Sequence, residues 1–297
     1  MARKFLALTA LALFTAGCGG ATAKPPAATK PHHPTLKRIG SLPQAISKAA
    51  AVALPGGKLM ILGGLVGDTS IDTILAGPPN KLRAIGHLPQ PTHDAAAAVL
   101  NGSVYNFGGG STVSEPTVVR IDPANGTTAT AAPIGEPLSD LGAVTIGGHA
   151  YLVGGYTGSE FASAILRYSQ SGTPTVVARL PRATRYAGVA AIGRTIYVAG
   201  GLTTTGPSRA IYALPLGKSV RQIGMLPKPK AHAALAALDG TLYYVGGRKI
   251  LAINPRTGRT TIAARLPVSL ADPSAVTVGK KIVIAGGGTN GIWAFTP

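Results

Sequence analysis

Short apolar runs along this chain are separated by clusters of Gly, Pro, Asn, Asp, Ser and Thr. That pattern predicts many short strands joined by tight turns. Six of the runs close on a glycine pair: Gly63-Gly64, Gly108-Gly109, Gly154-Gly155, Gly200-Gly201, Gly246-Gly247 and Gly286-Gly287. Aligned on these pairs, the sequence falls into repeats of four segments. The first is built of small apolar residues: Ala49–Leu54, Ala95–Leu100, Leu141–Ile146, Ala187–Ile192, Ala233–Leu238 and Ser274–Val278. A tight turn follows, and Asn101-Gly102 and Asp239-Gly240 are type I′ hairpin signals. The second segment runs into the glycine pair, where the missing side chains allow a bulge or a close backbone approach. The third segments read IDTILAG, TVVRIDP, AILRYSQ, RAIYALP, KILAINP and GIWAFTP; the fourth read LRAIGHLP, TATAAPI, TVVARLP, VRQIGMLP and TIAARLP.

The pairs recur at intervals of 45, 46, 46, 46 and 40 residues, the period of a β-propeller blade. Small first segments suit innermost strands that converge on one axis. There are six first, second and third segments, but only five fourth segments behind them. The sixth stands at the front: Leu36–Pro43 matches Leu82–Pro89 almost residue for residue. It is expected to pair with Gly291–Pro297, so the fold expected is an all-β, six-bladed propeller whose last blade is closed by the N-terminal strand. The stretch from Pro181-Arg182-Ala183 through Ile196–Gly201, and Leu242–Gly247, resemble kelch repeats. The resemblance covers residues 36–297 and is carried by the glycine pairs. It departs from kelch in the second half of the blade, where a Tyr and a Trp are usual and only Trp293 and a few tyrosines such as Tyr168 and Tyr212 remain. Kelch propellers serve many functions, so the resemblance implies the fold and no single activity.

The first residues qualify this picture. Met1-Ala2-Arg3-Lys4 precede an uncharged run from Phe5 to Ala16, then Gly17-Cys18. A positive start, a short apolar stretch and small residues before a cut describe an export signal, too short to cross a bilayer as a helix. Thr15-Ala16-Gly17-Cys18 resembles the bacterial lipobox, with Thr15 where Leu is usual. The resemblance implies a signal peptide over 1–17 and a lipidated Cys18 that anchors the chain to a membrane outside the cytoplasm. Residues 18–35, rich in Ala, Pro, Thr and Lys, read as a flexible tether. Cys18 is the one cysteine, which excludes disulfides and CxxC metal sites. Neither a metal nor a cofactor is expected.

Charge adds one more constraint. The chain holds 28 Lys and Arg against 10 Asp and Glu, a net +18, which favours anionic partners. The basic residues are scattered singly or in pairs, without the clustered stripe of a nucleic-acid binder. A monomer is expected, with an unknown protein or an anionic envelope polymer as partner.

The Leu-Pro-type pairs before each first strand give a register for candidate site residues. Six positions on from each stand Lys48, Asp94, Asp140, Tyr186, His232 and Asp272, with Ser47, His93, Ser139 and Arg185 one residue earlier. One polar residue per repeat at the same point predicts a ring around the channel mouth, a concave place for a ligand. The loops after the glycine pairs are longer in the first four repeats than in the last two, so the mouth is expected to be lopsided. Two functions fit. The preferred one is a non-catalytic binding or scaffold module on a leash. The alternative is a sugar-processing isomerase or lyase, as in the exported sialic-acid epimerases that the kelch resemblance brings in. There His93 with Asp94, or His232 with Asp272, would move protons and Arg185 would hold a carboxylate. Galactose oxidase also contains kelch repeats, but its copper chemistry requires a Tyr joined to a Cys, and Cys18 is assigned to the anchor.

Overall fold

The computed structural model describes residues 33–170 and 173–297. The signal segment, Cys18 and most of the tether lie outside the described residues. Among the described residues every regular element is a strand, apart from one short 3-10 turn at Pro55–Gly57.

Among the described residues two small sheets, Leu65–Val66 with Thr69–Ser70 and Leu202–Thr203 with Thr184–Arg185 and Gly206–Pro207, lie in the loops, and six larger antiparallel sheets follow one another along the chain. The first contains Ala50–Leu54, Lys58–Leu62, Thr73–Gly77 and Arg83–His87, paired in that order. The second repeats the plan with Ala96–Leu100, Ser103–Phe107, Val118–Ile121 and Thr128–Ala131, and the third with Gly142–Ile146, His149–Val153, Ala164–Tyr168 and Thr175–Arg179. The fourth holds Gly188–Ile192, Thr195–Ala199, Ala210–Pro215 and Arg221–Met225. The fifth departs from the four-strand expectation. Its second and third segments form one continuous element, Thr241–Ile253, between Ala234–Leu238 and Thr260–Leu270. Only Arg248-Lys249 follow its glycine pair, so no loop interrupts the strand geometry.

In the sixth sheet Pro273–Val278, Lys281–Gly286 and Thr289–Thr296 are joined by Thr35–Ile46 from the other end of the chain. The register runs from Thr35 opposite Thr296 to Ser41 opposite Gly291.

The apolar pattern explains how the sheets pack. Second strands such as LMIL are continuously apolar because both of their faces are covered. Met60 and Leu62 point into a cluster shared with the second sheet, while Leu59 and Ile61 point into one shared with the sixth. The same division holds throughout. The core is split into six clusters, each filling the space between two consecutive sheets, and one of them lies between the sixth sheet and the first. Facing that arrangement, the first strands surround a cavity of about 510 Å³ lined by Ala51, Ala97, Val144, Ala190, Ala237 and Ala275 among others. Alanine and valine predominate there because larger side chains from six strands would collide. The fourth strands are mostly exposed, as outer edges must be.

The glycine pairs clamp neighbouring sheets together. Gly64, Gly109, Gly155 and Gly201 each donate their N–H, at 2.8–2.9 Å, to a carbonyl in the loop entering the following sheet: Thr92, Leu138, Thr184 and Lys230. The glycine before each donor has a positive φ, and a Cβ there would stand 2.0–2.4 Å from that same carbonyl oxygen. No side chain fits, whatever its polarity.

Gly108→Ala is therefore expected to destabilise the fold by roughly 3 kcal/mol or more, through a Cβ 2.0 Å from Leu138 O added to an unfavourable φ. Gly56→Ala shares the positive φ but meets open space, and should cost only about 1–2 kcal/mol. Urea unfolding of the two variants measures the contrast; equal losses would contradict the clamp.

Candidate functional site

The loops that enter the first strands carry six residues with left-handed backbone: Lys48, Asp94, Asp140, Tyr186, His232 and Asp272, all with φ between 52° and 58°. Side-chain-bearing residues avoid this region, Asp and His less than most. A main-chain ring holds them there. The N–H of Asp94 donates to Lys48 O at 3.0 Å, that of Asp140 to Asp94 O at 2.7 Å, and that of Tyr186 to Asp140 O at 2.9 Å. Asp272 donates to His232 O at 3.2 Å and Lys48 to Asp272 O at 3.1 Å. The one link not made is from His232 N–H to Tyr186 O. All six side chains surround a small central cavity of about 110 Å³.

On one side of this rim the side chains form a connected polar cluster. Lys48 Nζ donates to Asp94 Oδ2 at 2.9 Å and to the Tyr186 hydroxyl at 3.5 Å. Tyr186 donates in turn to Asp94 Oδ2 at 3.4 Å. The Arg185 guanidinium donates to the Tyr186 hydroxyl at 2.7 Å and lies between aromatic faces, 4.4 Å from the Tyr156 ring centre and 4.5 Å from that of Tyr186. Its Nη2 also stands 2.6 Å from Asp140 Oδ2. That contact is close but misaligned, since Asp140 Oδ2 and Arg185 Nε are both buried without a hydrogen-bond partner. His93 lies beside Asp94, with Nε2 3.6 Å from Oδ2, and its Nδ1 is 2.9 Å from Ser70 Oγ. Across the rim His232 Nδ1 and Asp272 Oδ1 are 2.7 Å apart, and the His232 ring lies 3.9 Å from that of Tyr186.

Burial sets the protonation states. Asp140 is pushed up to about 7, first by burial and then by the neighbouring Asp94 charge, which together outweigh Arg185. Burial also lifts Tyr186 to about 12, helped by Asp94 and Asp140. The His93 imidazole is lowered by its burial and by the Lys48 charge, against Asp94. For Lys48 burial acts downward, but the Asp94 carboxylate more than reverses it and the ammonium is raised. Near neutrality the mouth thus holds the Lys48 ammonium, an imidazole at His93 that burial keeps from charging, and an Asp140 carboxyl that gives up its proton far less readily than a free aspartate.

Every candidate named from the register stands at this end, and the structure joins them into two groups. Hydrogen bonds and ion pairs link Lys48, His93, Asp94, Asp140, Arg185 and Tyr186 in one and His232 with Asp272 in the other, and the Tyr186 and His232 rings touch between them. Outside the register, the structure adds Ser70, Ser111, Thr112, Ser114, Tyr156 and Phe161. Of these, Ser111, Thr112, Ser114 and Tyr156 join Lys48, His93, Asp94, Ser139, Asp140, Arg185 and Tyr186 in enclosing a cleft of about 370 Å³ above the second and third sheets, while Ser70 and Phe161 support His93 and Arg185 from behind. Ser114 and Ser139 hydroxyls are 3.0 Å apart on its wall. The long loops of the first and fourth sheets do not line it, so the lopsidedness is narrower than loop length alone implies. Tyr156 and Phe161 of the third loop meet edge-on at 5.9 Å beneath the Arg185 guanidinium. Among the described residues no group of three or more His, Cys, Asp or Glu side chains is arranged to hold a metal ion.

Sheets of this plan, packed in sequence around a polar mouth, define a protein of β-propeller-like fold. A solved structure, that of YjhT, shares the fold with a TM-score of 0.73 at 15% sequence identity, over 87% of this chain and 95% of that one. No protein-family model and no curated protein matches the chain.

Asp140 makes stability depend on pH. An unfolded aspartate ionises near pH ~4, whereas the folded carboxyl holds its proton to about 7. Between those values the folded state binds the extra proton, so stability falls as pH rises through this window and levels off above it. Asp140→Asn removes the effect. The stability of the natural chain relative to this variant should decline by on the order of 4 kcal/mol across the window. A difference that stays flat from acid to neutral pH, measured by denaturant unfolding, would contradict the assignment.

Proposed function

We propose that this chain is a closed six-bladed propeller of the kelch type, exported and anchored through an acylated Cys18, that binds a small acidic, hydroxyl-rich group at its mouth. A sugar-acid unit of an anionic envelope polymer has this chemistry. The observation that carries the reading is the set of six rim residues with left-handed backbone. Glycine would adopt that conformation without strain, yet each position carries a functional side chain. Strain retained where glycine would relieve it is a mark of functional sites. The cleft beside the rim supports the ligand class. Arg185, Lys48 and His93 offer donors to an anion, and the hydroxyls of Ser111, Thr112, Ser114 and Ser139 offer partners to a polyol. The six interface clusters and the pairing of Thr35–Ile46 with Thr289–Thr296 support the closed ring.

A second reading, proton transfer on an acidic sugar, is favoured by the buried Asp140 carboxyl whose pKa sits close to neutrality. A group so placed can both give and take a proton. Asp94 and His93 would assist it, and Arg185 would fix the substrate carboxylate.

One titration separates the readings. The full chain is titrated with glucuronate, galacturonate and N-acetylneuraminate while ligand NMR signals report both binding and exchange between anomers or epimers. Binding is expected, with Arg185→Ala weakening it roughly 10- to 100-fold. Binding without faster exchange keeps the module reading. Faster exchange that Asp140→Asn abolishes installs the enzyme. No binding to any member, or none lost with Arg185, would overturn the site.

A further inference from the structure

The excess positive charge is scattered in sequence but not in space. Because strands alternate in direction, the turns from first to second and from third to fourth strands all lie at the end opposite the rim. Of the ten acidic residues, only Asp122 and Asp239 belong to those turns; the others stand in rim-side loops, at the same end as Lys48, Arg182, Arg185, Arg209, Lys228, Lys230, Arg248 and Lys249. The turns of the opposite end instead carry exposed Lys58, Lys81, Arg194, Lys218, Arg259 and Lys280, among others. One end is therefore nearly balanced and the other strongly cationic.

The cationic end has a focus. Between the first and sixth sheets a cavity of about 590 Å³ is lined by Lys280 and Lys281, with Gly57 and Asn80 on its other wall. Lys58 and Lys81 are the next residues after those two. Among the described residues, none of these four lysines is in an ion pair. The N-terminal strand begins at the same place, for Thr35 pairs with Thr296 and Ile39 lines the cavity.

We propose that this end docks on an anionic phospholipid bilayer, with Lys58, Lys81, Lys280 and Lys281 at the contact and the rim mouth turned away from the membrane. The electrostatic surface and the emerging N-terminal strand then act from the same side. Unpaired lysines on three turns suit a diffuse layer of phosphate headgroups, because none requires a fixed partner geometry. The choice of a bilayer over a soluble polyanion rests on the proposed anchor at Cys18, so the test removes that anchor.

The full chain carrying Cys18→Ser is sedimented with vesicles of phosphatidylglycerol and phosphatidylcholine, and with phosphatidylcholine alone. Binding is expected only to the anionic vesicles, and raised salt should weaken it. Reversal of all four lysines (Lys58→Glu, Lys81→Glu, Lys280→Glu, Lys281→Glu) should reduce partitioning by at least about a hundred-fold. A control with the same change in net charge on the rim side (Arg182→Glu, Lys228→Glu, Arg248→Glu, Lys249→Glu) should stay within about three-fold, with matching circular dichroism. Equal loss in both variants, or no preference for anionic vesicles, would overturn the proposal. So would binding confined to dextran sulfate, which would make the partner a polymer. None of these outcomes depends on ligand binding at the mouth.

Discussion

A backbone clamp between sheets is the constraint on which the rest depends. At each clamp a glycine approaches a neighbouring carbonyl so closely that no Cβ can intervene, and the next N–H closes the bond, as in Gly109 to Leu138 O. The clamp draws the loop entering one sheet onto the sheet before it. That loop carries the rim residue a few positions later, so inter-sheet spacing and mouth geometry are set together. The apolar clusters between sheets supply the burial; the clamps give it register.

The rim inherits its conformation from these loops. Its main-chain bonds pass from one sheet's entry loop to the next and hold Lys48, Asp94, Asp140, Tyr186, His232 and Asp272 in left-handed backbone. The side chains consequently converge rather than fan out. Convergence brings Asp94 and Asp140 together under low solvation, which is what lifts the Asp140 carboxyl despite the Arg185 guanidinium beside it. Local strain, polar crowding and shifted protonation are thus three results of one loop geometry, and they meet where a concave cleft opens.

Much of this was legible along the chain. The glycine pairs marked the repeats, Leu36–Pro43 announced its pairing at the far end, and the Leu-Pro register singled out the six residues that later shared one backbone conformation. Those signals are local, and the repeat period multiplies them. The cleft was less legible, because it depends on which side chains fold back over the mouth. Tyr156 and Phe161 lie in a loop like the other long ones, and only their contact with Arg185 distinguishes them. The fifth sheet escaped expectation because a two-residue loop leaves no break between strands. The division of charge between the two ends was invisible in sequence, since Lys58 and Lys280 become neighbours only when the first and sixth sheets meet.

The central claim is that a main-chain ring fixes the rim, and native-state amide hydrogen exchange tests it most directly. The amides of Lys48, Asp94, Asp140, Tyr186 and Asp272 each donate within the ring, so they should exchange only through near-global unfolding. The amide of His232, whose link is not made, should exchange markedly faster. Rapid exchange at all six, at rates typical of exposed loops, would contradict the account.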